Sequence, residues 1–281
     1  MVKKKIIVTG SRGYLGSIIF DQLKKKYDVV RYLGNDQIFL NDINNYAILH
    51  LAGLDKASCQ KYPKLANKIN VDLTKKIINL GIKNNFKKFL FFSSVHVYGN
   101  NNFKINEKSP LKPKNIYGIT KKKSEQICNK YSTKIDVVIL RISNVVARPS
   151  KENKQSKNLI INFICKNLIK KNVSLNSNGE DLRDFISISY LLSCINFFLI
   201  SNKAGIYNIC SGKVLKIKDI ARRILLKVNK KFKLSRKIIF GKKKIDVYDY
   251  KFSNNKITKL VQIKKKHDFY QEVNKIIDYY G

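Results

Sequence analysis

Ile6-Ile7-Val8-Thr9-Gly10-Ser11-Arg12-Gly13-Tyr14-Leu15-Gly16 decides how the rest of the chain is read. A short apolar run enters a turn with glycine at every third position. Leu15, Ile19 and Leu23 then recur at helical spacing, with Ile18 beside them. The pattern is a strand, a glycine turn and an amphipathic helix to about Lys26. In that context the glycines predict dinucleotide binding; without the flanking elements they would mark an ordinary turn. Gly10 permits the tight turn, Gly13 lets backbone approach a pyrophosphate, and Gly16 lets the helix pack closely on the sheet. The N–H groups near Tyr14 and Leu15 then face the phosphates at the positive end of a helix.

Outward from this turn the chain alternates strand and helix patterns, which predicts an α/β fold with a Rossmann-type, doubly wound parallel sheet. Asp28–Tyr32, Ala47–Leu51, Lys88–Ser93 and Asp136–Ile142 read as further strands. Phe89-Leu90-Phe91-Phe92 is a continuous apolar run suited to a strand buried on both faces. Ile69, Leu73, Ile77 and Leu80 define one helix face, and a second helix runs from about Tyr117 to Tyr131. The segment between Tyr32 and Tyr46 has room for a stub of strand but not for a full helix. After Pro149 the rhythm changes to a polar stretch, helices around Leu159–Lys171 and Tyr190–Ser201, and a Lys-rich final third. The expected organisation is a dinucleotide-binding domain over 1–149 and a smaller, mainly substrate-binding domain over 150–281, with segments that interleave.

Tyr117-Gly118-Ile119-Thr120-Lys121 lies on the second of those helices. A Tyr-x-x-x-Lys there puts phenol and ammonium one turn apart on one face. Beside a nicotinamide cofactor, a tyrosine whose pKa is lowered from about 10 can move a proton as a hydride moves. Taken alone, the same motif is a surface tyrosine on a Lys-rich helix.

At 281 residues and 44% hydrophobic content the chain can bury a large core. Lys3 to Lys5 precede only Ile6-Ile7-Val8, so no signal peptide is read, and the apolar stretch near Tyr190–Ile200 is too short for a membrane span. Five widely spaced cysteines without a C-x-x-C argue against a disulfide framework or a zinc site and fit a cytoplasmic setting. The formal charge of +38 raises nucleic-acid binding. Only eight of the 57 basic residues are Arg, however, and the lysines are scattered among abundant Asn and Ile. Those three residue types share A/T-rich codons, so base composition accounts for the charge. No helix-turn-helix or RNP-like motif focuses it, and no specific nucleic-acid partner is expected.

With these pieces in place the chain resembles the extended short-chain dehydrogenase/reductase family, the NAD-dependent epimerases/dehydratases that act on nucleotide sugars. The matching segments are the glycine turn at 9–16, His50-Leu51-Ala52-Gly53, Asn70-Val71-x-x-Thr74 and Ser93-Ser94-x-x-Val97-Tyr98-Gly99. They continue through Tyr117-x-x-x-Lys121, Leu140-Arg141-x-x-Asn144-Val145, Arg183-Asp184-Phe185-Ile186 and Tyr207-Asn208-Ile209-x-Ser211-Gly212. The resemblance implies a catalytic trio: Tyr117 exchanges a proton with a sugar hydroxyl, Lys121 lowers its pKa and holds the nicotinamide ribose, and Ser94 bonds the reacting oxygen. It implies cofactor contacts from the glycine turn, Leu51 and Ala52, with Asp42 at the adenine, and substrate contacts from Asn144 and Arg183 to a nucleotide diphosphate. It also implies a homodimer through the helices after Asn70 and Tyr117. The Arg183-Asp184 pair has a second reading as an inter-domain salt bridge.

His96 departs from the family pattern. It stands where 4,6-dehydratases hold a Glu preceded by Asp, and Val95 replaces that Asp. A histidine there either shuttles a proton or binds a sugar hydroxyl. His50, ending an apolar strand, reads as structural, and His267 has no evident partner. Where NAD enzymes place an acid near the end of the second strand this chain has Arg31, and Arg12 lies inside the glycine turn. Two guanidiniums suit a 2′-phosphate, so the cofactor is NAD or NADP with NADP favoured, while Asp36 can serve a ribose. A carboxyl-terminal arginine of the family is replaced by Lys242-Lys243-Lys244-Ile245-Asp246. The functional expectation is a nucleotide-sugar epimerase. An NADPH-dependent reductase of a nucleotide 4-keto sugar is the alternative, and a dinucleotide-binding sensor or scaffold is the non-enzyme one.

Overall fold

The structure, a computed structural model, describes residues 3–39, 45–99, 104–150, 159–243, 251–261 and 269–281. Asp42, His267 and Lys244 to Asp246 lie outside the described residues. In chain order the first elements are β1 (Lys5–Thr9), α1 (Tyr14–Leu23), β2 (Asp28–Tyr32) and β3 (Asn45–His50). Next come α2 (Lys56–Lys61), α3 (Pro63–Asn67), a π-helical turn (Lys68–Asp72), α4 (Leu73–Lys83) and β4 (Lys88–Ser94). A 3-10 turn (Val95–Val97), β5 (Lys104–Ile105), α5 (Ile116–Lys130), β6 (Asp136–Ile142) and β7 (Asn144–Val146) follow. The remainder is α6 (Ile160–Lys170), β8 (Val173–Ser177), β9 (Leu182–Ser187), α7 (Ile188–Ile200), β10 (Gly205–Ile209), β11 (Val214–Lys216) and α8 (Ile217–Phe232). Last are β12 (Ile238–Lys243), β13 (Lys251–Phe252), α9 (Asn255–Thr258) and α10 (Phe269–Tyr280).

Two compact units divide the chain. One comprises Met1–Asn100, Glu107–Ile142 and Cys194–Ile209; the other comprises Asn101–Asn106, Ser143–Ser193 and Cys210–Gly281. The first unit is built on a six-stranded parallel sheet in the order β10-β6-β4-β3-β1-β2. This is the Rossmann-type doubly wound arrangement expected from the alternating pattern. β4 is buried along its whole length, as its unbroken apolar run requires. Ile7, Ile48, Ile77, Phe89, Phe91, Val137 and Ile139 pack into one core cluster of this unit. Between β2 and β3 the described chain makes only a 3-10 turn (Asp36–Phe39), in keeping with the short Tyr32–Tyr46 link. There Tyr32 Oη donates to Asp36 Oδ1 at 2.8 Å, and Lys76 pairs with the same carboxylate at 2.8 Å.

The second unit holds a three-stranded sheet, β11-β9-β7, and the pairs β12-β8 and β13-β5. Its core is the buried faces of α6, α8 and α10, with Ile161, Ile164, Leu168, Ile220, Ile224, Val273 and Ile276 in one cluster. The five cysteines are free and buried. Among the described residues no helix is long and apolar enough to cross a membrane, and no group of three or more His, Cys, Asp or Glu could hold a metal ion.

The glycine turn is held by contact as much as by conformation. Gly10 sits at φ +69°, and a Cβ there would lie 2.6 Å from the Ala52 amide nitrogen. A Cβ on Gly16 would lie 2.1 Å from the Gly10 carbonyl oxygen, inside the radius of a fixed backbone atom. Gly16→Ala therefore forces α1 away from β1. The expected loss is on the order of 1–3 kcal/mol, the range for overpacking a closed site, read as a lower unfolding midpoint in urea.

Candidate active site

The carboxyl ends of β1, β3 and β4 line up because the sheet is parallel, and the expected cofactor and catalytic residues of the first unit gather there. Thr9, the last residue of β1, is fully buried, and its Oγ1 accepts from the Ala52 N–H at 3.1 Å. The Leu51 N–H bonds the Thr9 carbonyl at 3.3 Å. Leu51 and Ala52 are thus seated against Gly10. α1 begins at Tyr14 with Gly13 at its N-cap and no side chain capping it. The start of a helix concentrates backbone N–H groups and positive dipole, and Gly10, Gly13 and Gly16 let a ligand approach that backbone closely. Ser11, wholly buried in the same turn, has a hydroxyl without a hydrogen-bond partner. A helix start without a side-chain cap, behind a glycine turn with an unsatisfied buried hydroxyl, fits the pyrophosphate of a dinucleotide.

His50 explains why this loop is rigid. Its Nδ1 lies 2.7 Å from Thr9 Oγ1 and its Nε2 lies 2.9 Å from Thr74 Oγ1. Thr74 in turn donates to the Asn70 carbonyl at 2.6 Å, so it must accept from Nε2–H. Thr9 then donates to Nδ1. The chain Ala52 N–H, Thr9, His50, Thr74, Asn70 C=O runs in one direction. Burial, with the Lys121 charge adding to it, pulls the His50 pKa down to about 3, so the imidazole is neutral. The structural reading of His50 stands.

Asn70 lies in the π-helical turn. Its carbonyl also accepts from Ser124 Oγ of α5 at 2.6 Å. The Asn70 side chain accepts from the Leu54 N–H at 2.7 Å and donates to Thr120 Oγ1 at 2.9 Å. The loop after β3 is thereby tied to the helix that carries Tyr117 and Lys121. A Cβ on Gly53 would come within 3.4 Å of Lys121 Nζ.

α5 is started by Asn115, whose Oδ1 accepts from the Gly118 N–H at 2.9 Å. A Cβ on Gly118 would lie 2.5 Å from the His96 carbonyl oxygen, so glycine is what lets the helix start close to the turn after β4. Tyr117 is half-buried and hydrogen-bonds Ser94. Burial pushes its phenol up to about 12, against a downward pull from Ser94. Lys121 is 4% exposed; its Nζ donates to the Phe92 carbonyl at 2.8 Å and lies 5.9 Å from the Tyr117 ring centre. Desolvation draws Lys121 down to about 8. From the protein's own groups alone the phenol is therefore raised. Lys121 is turned to a carbonyl, and burial outweighs the one hydrogen bond the phenol receives. His96 is exposed, with its ring edge-on to Tyr117 at 5.7 Å between centres and its N–H directed at Ser94 Oγ.

The other candidates fall in two places. Arg12 is exposed in the glycine turn, and Arg31 lies on β2 with its guanidinium 4.1 Å from the Phe20 ring centre. In the second unit, Asn144 on β7 pairs with Phe185 on β9, and its Nδ2 donates to the Asp184 carbonyl at 2.9 Å. Arg183 pairs with Asp181 at 3.2 Å and keeps 40% of its side chain exposed. Asp184 is buried and accepts from Ser143 Oγ, from the Ser211 N–H and Oγ, and from the Gly212 N–H. The Asp184 carboxylate is thus occupied by Ser143, Ser211 and Gly212, while Arg183 pairs with Asp181. Three contributors escaped the sequence motifs: Glu125, Gly118 and Thr120. Only Glu125 left a usable signal, as the next residue after Tyr117 and Lys121 at a spacing of four.

Known proteins share this fold. The NAD dependent epimerase/dehydratase family matches residues 6–210. D-erythronate dehydrogenase of Haemophilus influenzae is 26% identical over 189 residues, covering 56% of this chain and 59% of that protein. The chain spans about three fifths of the length of the first curated relatives it matches. Among solved structures, RMD from Pseudomonas aeruginosa complexed with NADPH superposes with a TM-score of 0.84 at 18% identity, covering 99% of this chain and 98% of that one. UDP-N-acetylglucosamine 4-epimerase from Methanobrevibacter ruminantium M1, in complex with UDP-N-acetylmuramic acid, gives 0.82 at 22% identity, covering 100% and 99%.

The His50 shift has a testable consequence for stability. Its folded pKa of about 3 lies below the unfolded value of about 6.5, so the unfolded chain binds the proton first. The contribution of a neutral His50 is fully present above pH 6.5 and is lost as pH falls toward 3. The expected slope reaches about 1.4 kcal/mol per pH unit in that window. Urea unfolding at pH 7 and pH 5 checks it, and in His50→Gln that part of the pH dependence should vanish.

Proposed function

The chain belongs to the NAD-dependent epimerase/dehydratase family, and within it we propose that it is an NAD(P)-dependent nucleotide-sugar epimerase. The observation that carries the proposal is the meeting of Ser94, Tyr117 and Lys121 at the end of β4, in the same unit as the uncapped glycine turn. A sensor or scaffold has no need of a buried lysine drawn toward neutrality next to a hydrogen-bonded tyrosine.

The cofactor would be held by the backbone near Tyr14 and Leu15 in the Gly10–Gly16 turn, by Leu51 and Ala52, and by Lys121 and Tyr117 at its nicotinamide end. When bound in oxidised form it supplies a hydride acceptor and a positive charge. The protein's own part is proton handling. Tyr117, at about 12, holds its proton firmly at neutral pH, and the bond from Ser94 together with added positive charge lowers the cost of giving it up. Ser94 can share the same substrate oxygen and so fix the distance for transfer. His96 faces Tyr117 from the solvent side, where a sugar would enter, and Val95 before it leaves the dehydratase acid pair incomplete. That favours chemistry confined to one carbon. Arg183 and Asn144 are assigned to the nucleotide diphosphate, for which a planar guanidinium is suited. The solved epimerase of similar fold carries a UDP-sugar, which supports this class of substrate.

A reductase of a nucleotide keto sugar is favoured by one feature, the pair Arg12 and Arg31 in place of the acid that NAD enzymes use. The same pair makes NADP the preferred cofactor, and the similar structure holding NADPH is in line with it. We assign the chain a homodimeric state through the helices after Asn70 and Tyr117, where Ile119 on α5 is 40% exposed. Sedimentation of Ile119→Lys as a monomer would support that assignment, and an unchanged dimer would refute it.

Turnover of UDP- and dTDP-hexoses tests the main proposal. An epimerase converts them without net change at the nicotinamide absorbance band, whereas stoichiometric loss of NADPH moves the assignment to the reductase. Tyr117→Phe is expected to fold, bind cofactor and lose about 10²–10⁴-fold in kcat, the range for removing a general acid–base. Wild-type turnover in that variant would refute the role of Tyr117, and full activity in His96→Gln would leave His96 a contact residue.

A further inference from the structure

Three residues of α5, each one turn from the last, meet three consecutive residues of β4. Tyr117 bonds Ser94, Lys121 Nζ bonds the Phe92 carbonyl, and Glu125 Oε1 accepts from Ser93 Oγ at 2.5 Å. Glu125 is 1% exposed and Arg141, on β6, is 2% exposed. Arg141 reaches both carboxylate oxygens, with Nε at 3.0 and 3.1 Å and Nη2 at 2.7 Å. Its remaining nitrogen donates to Tyr98 Oη at 2.8 Å and to the Glu107 carbonyl at 3.1 Å. Tyr98 passes the bond on to Asn208 Oδ1 at 2.7 Å. A buried pair of this kind adds little net stability over well-packed apolar side chains, so stability alone does not account for it.

We propose that the buried Glu125–Arg141 pair is a positioning element of the active site: it sets the depth of α5 on β4 and places an anion one turn from Lys121. The proposal rests on the reading of Tyr117 and Lys121 as the catalytic pair. The groups that face Lys121 are Tyr117, Glu125 and Cys128 from α5, Cys59 from α2, neutral His50 from β3 and the Phe92 carbonyl from β4. Burial raises both thiols, so they carry no charge at neutral pH. Glu125 is then the anion that holds the Lys121 proton on against desolvation. Withdrawing its carboxylate leaves the ammonium with a neutral carbonyl and leaves Arg141 uncompensated behind it. Both changes favour the neutral amine.

The test reads Lys121 itself. Protein labelled with ¹³C at lysine Cε is titrated by NMR, and the Lys121 signal is identified by its absence in Lys121→Arg. In wild type it titrates near about 8, apart from the surface lysines. Glu125→Gln is expected to move that midpoint to lower pH. The double variant Glu125→Met with Arg141→Met keeps volume and removes both charges, so it is expected to fold stably while Lys121 still titrates below the wild-type midpoint. A stable double variant with an unmoved Lys121 midpoint and unchanged turnover would overturn the proposal, as would Glu125→Gln that loses stability with the midpoint in place. The titration needs neither cofactor nor substrate. If Tyr117→Phe keeps its turnover, the catalytic reading falls whatever Lys121 does.

Discussion

The first unit depends on how one helix is seated on one strand. β4 is central in the sheet and apolar until its last two residues, so Ser93, Ser94 and the Phe92 carbonyl are the polar groups it offers to α5. Each is taken by a different side chain on one face of that helix. Buried polar groups without partners cost more than their hydrogen bonds gain when made. A helix rotated by one residue would strand a carboxylate, an ammonium and a phenol together. The register of α5 is therefore fixed by the cost of the alternatives, and the positions of Tyr117 and Lys121 follow from it.

A second set of bonds joins the nucleotide loop to the same helix. Asn70 is the junction. Its carbonyl takes Thr74 and Ser124, and its side chain takes Leu54 and Thr120. Asn70 lies in the π-helical turn, and its carbonyl oxygen, with two lone pairs, accepts both hydroxyls. The second unit solves a similar problem with Asp184, a buried carboxylate satisfied by two backbone amides and two serines. That anchors the strand from which Arg183 projects. In each unit a residue expected to touch ligand is held by a neighbour that does not.

The parallel sheet was legible because strands buried on both faces write themselves as Ile6-Ile7-Val8 and Phe89-Leu90-Phe91-Phe92. The glycine turn was legible because only glycine fits where a Cβ would strike backbone at Gly10 and Gly16. Tyr117 hydrogen-bonds Ser94, and Lys121 lies one turn along the same helix. What escaped were groups whose importance lies in contacts distant in sequence. The role of Glu125 appears only when Arg141 and Ser93 are brought to it. The surroundings of Tyr117 are not legible in the sequence for a related reason. Sequence places a lysine one turn away, but it does not say that the lysine turns to a carbonyl or that burial is the larger effect. The short link between β2 and β3 was expected, while the cofactor residues within it could not be carried over from longer relatives.

The chain through His50 also has a thermodynamic meaning. Its first member is a backbone N–H that can only donate, and its last is a carbonyl that can only accept. Between them stand two hydroxyls and an imidazole, each of which could point either way in isolation. With the ends fixed, reversing any one leaves two donors or two acceptors face to face. The row has one allowed proton arrangement, like a line of ice whose disorder has been removed. Its orientational entropy is already spent when the protein folds, so a ligand settling against Ala52 meets a loop with nothing left there to freeze.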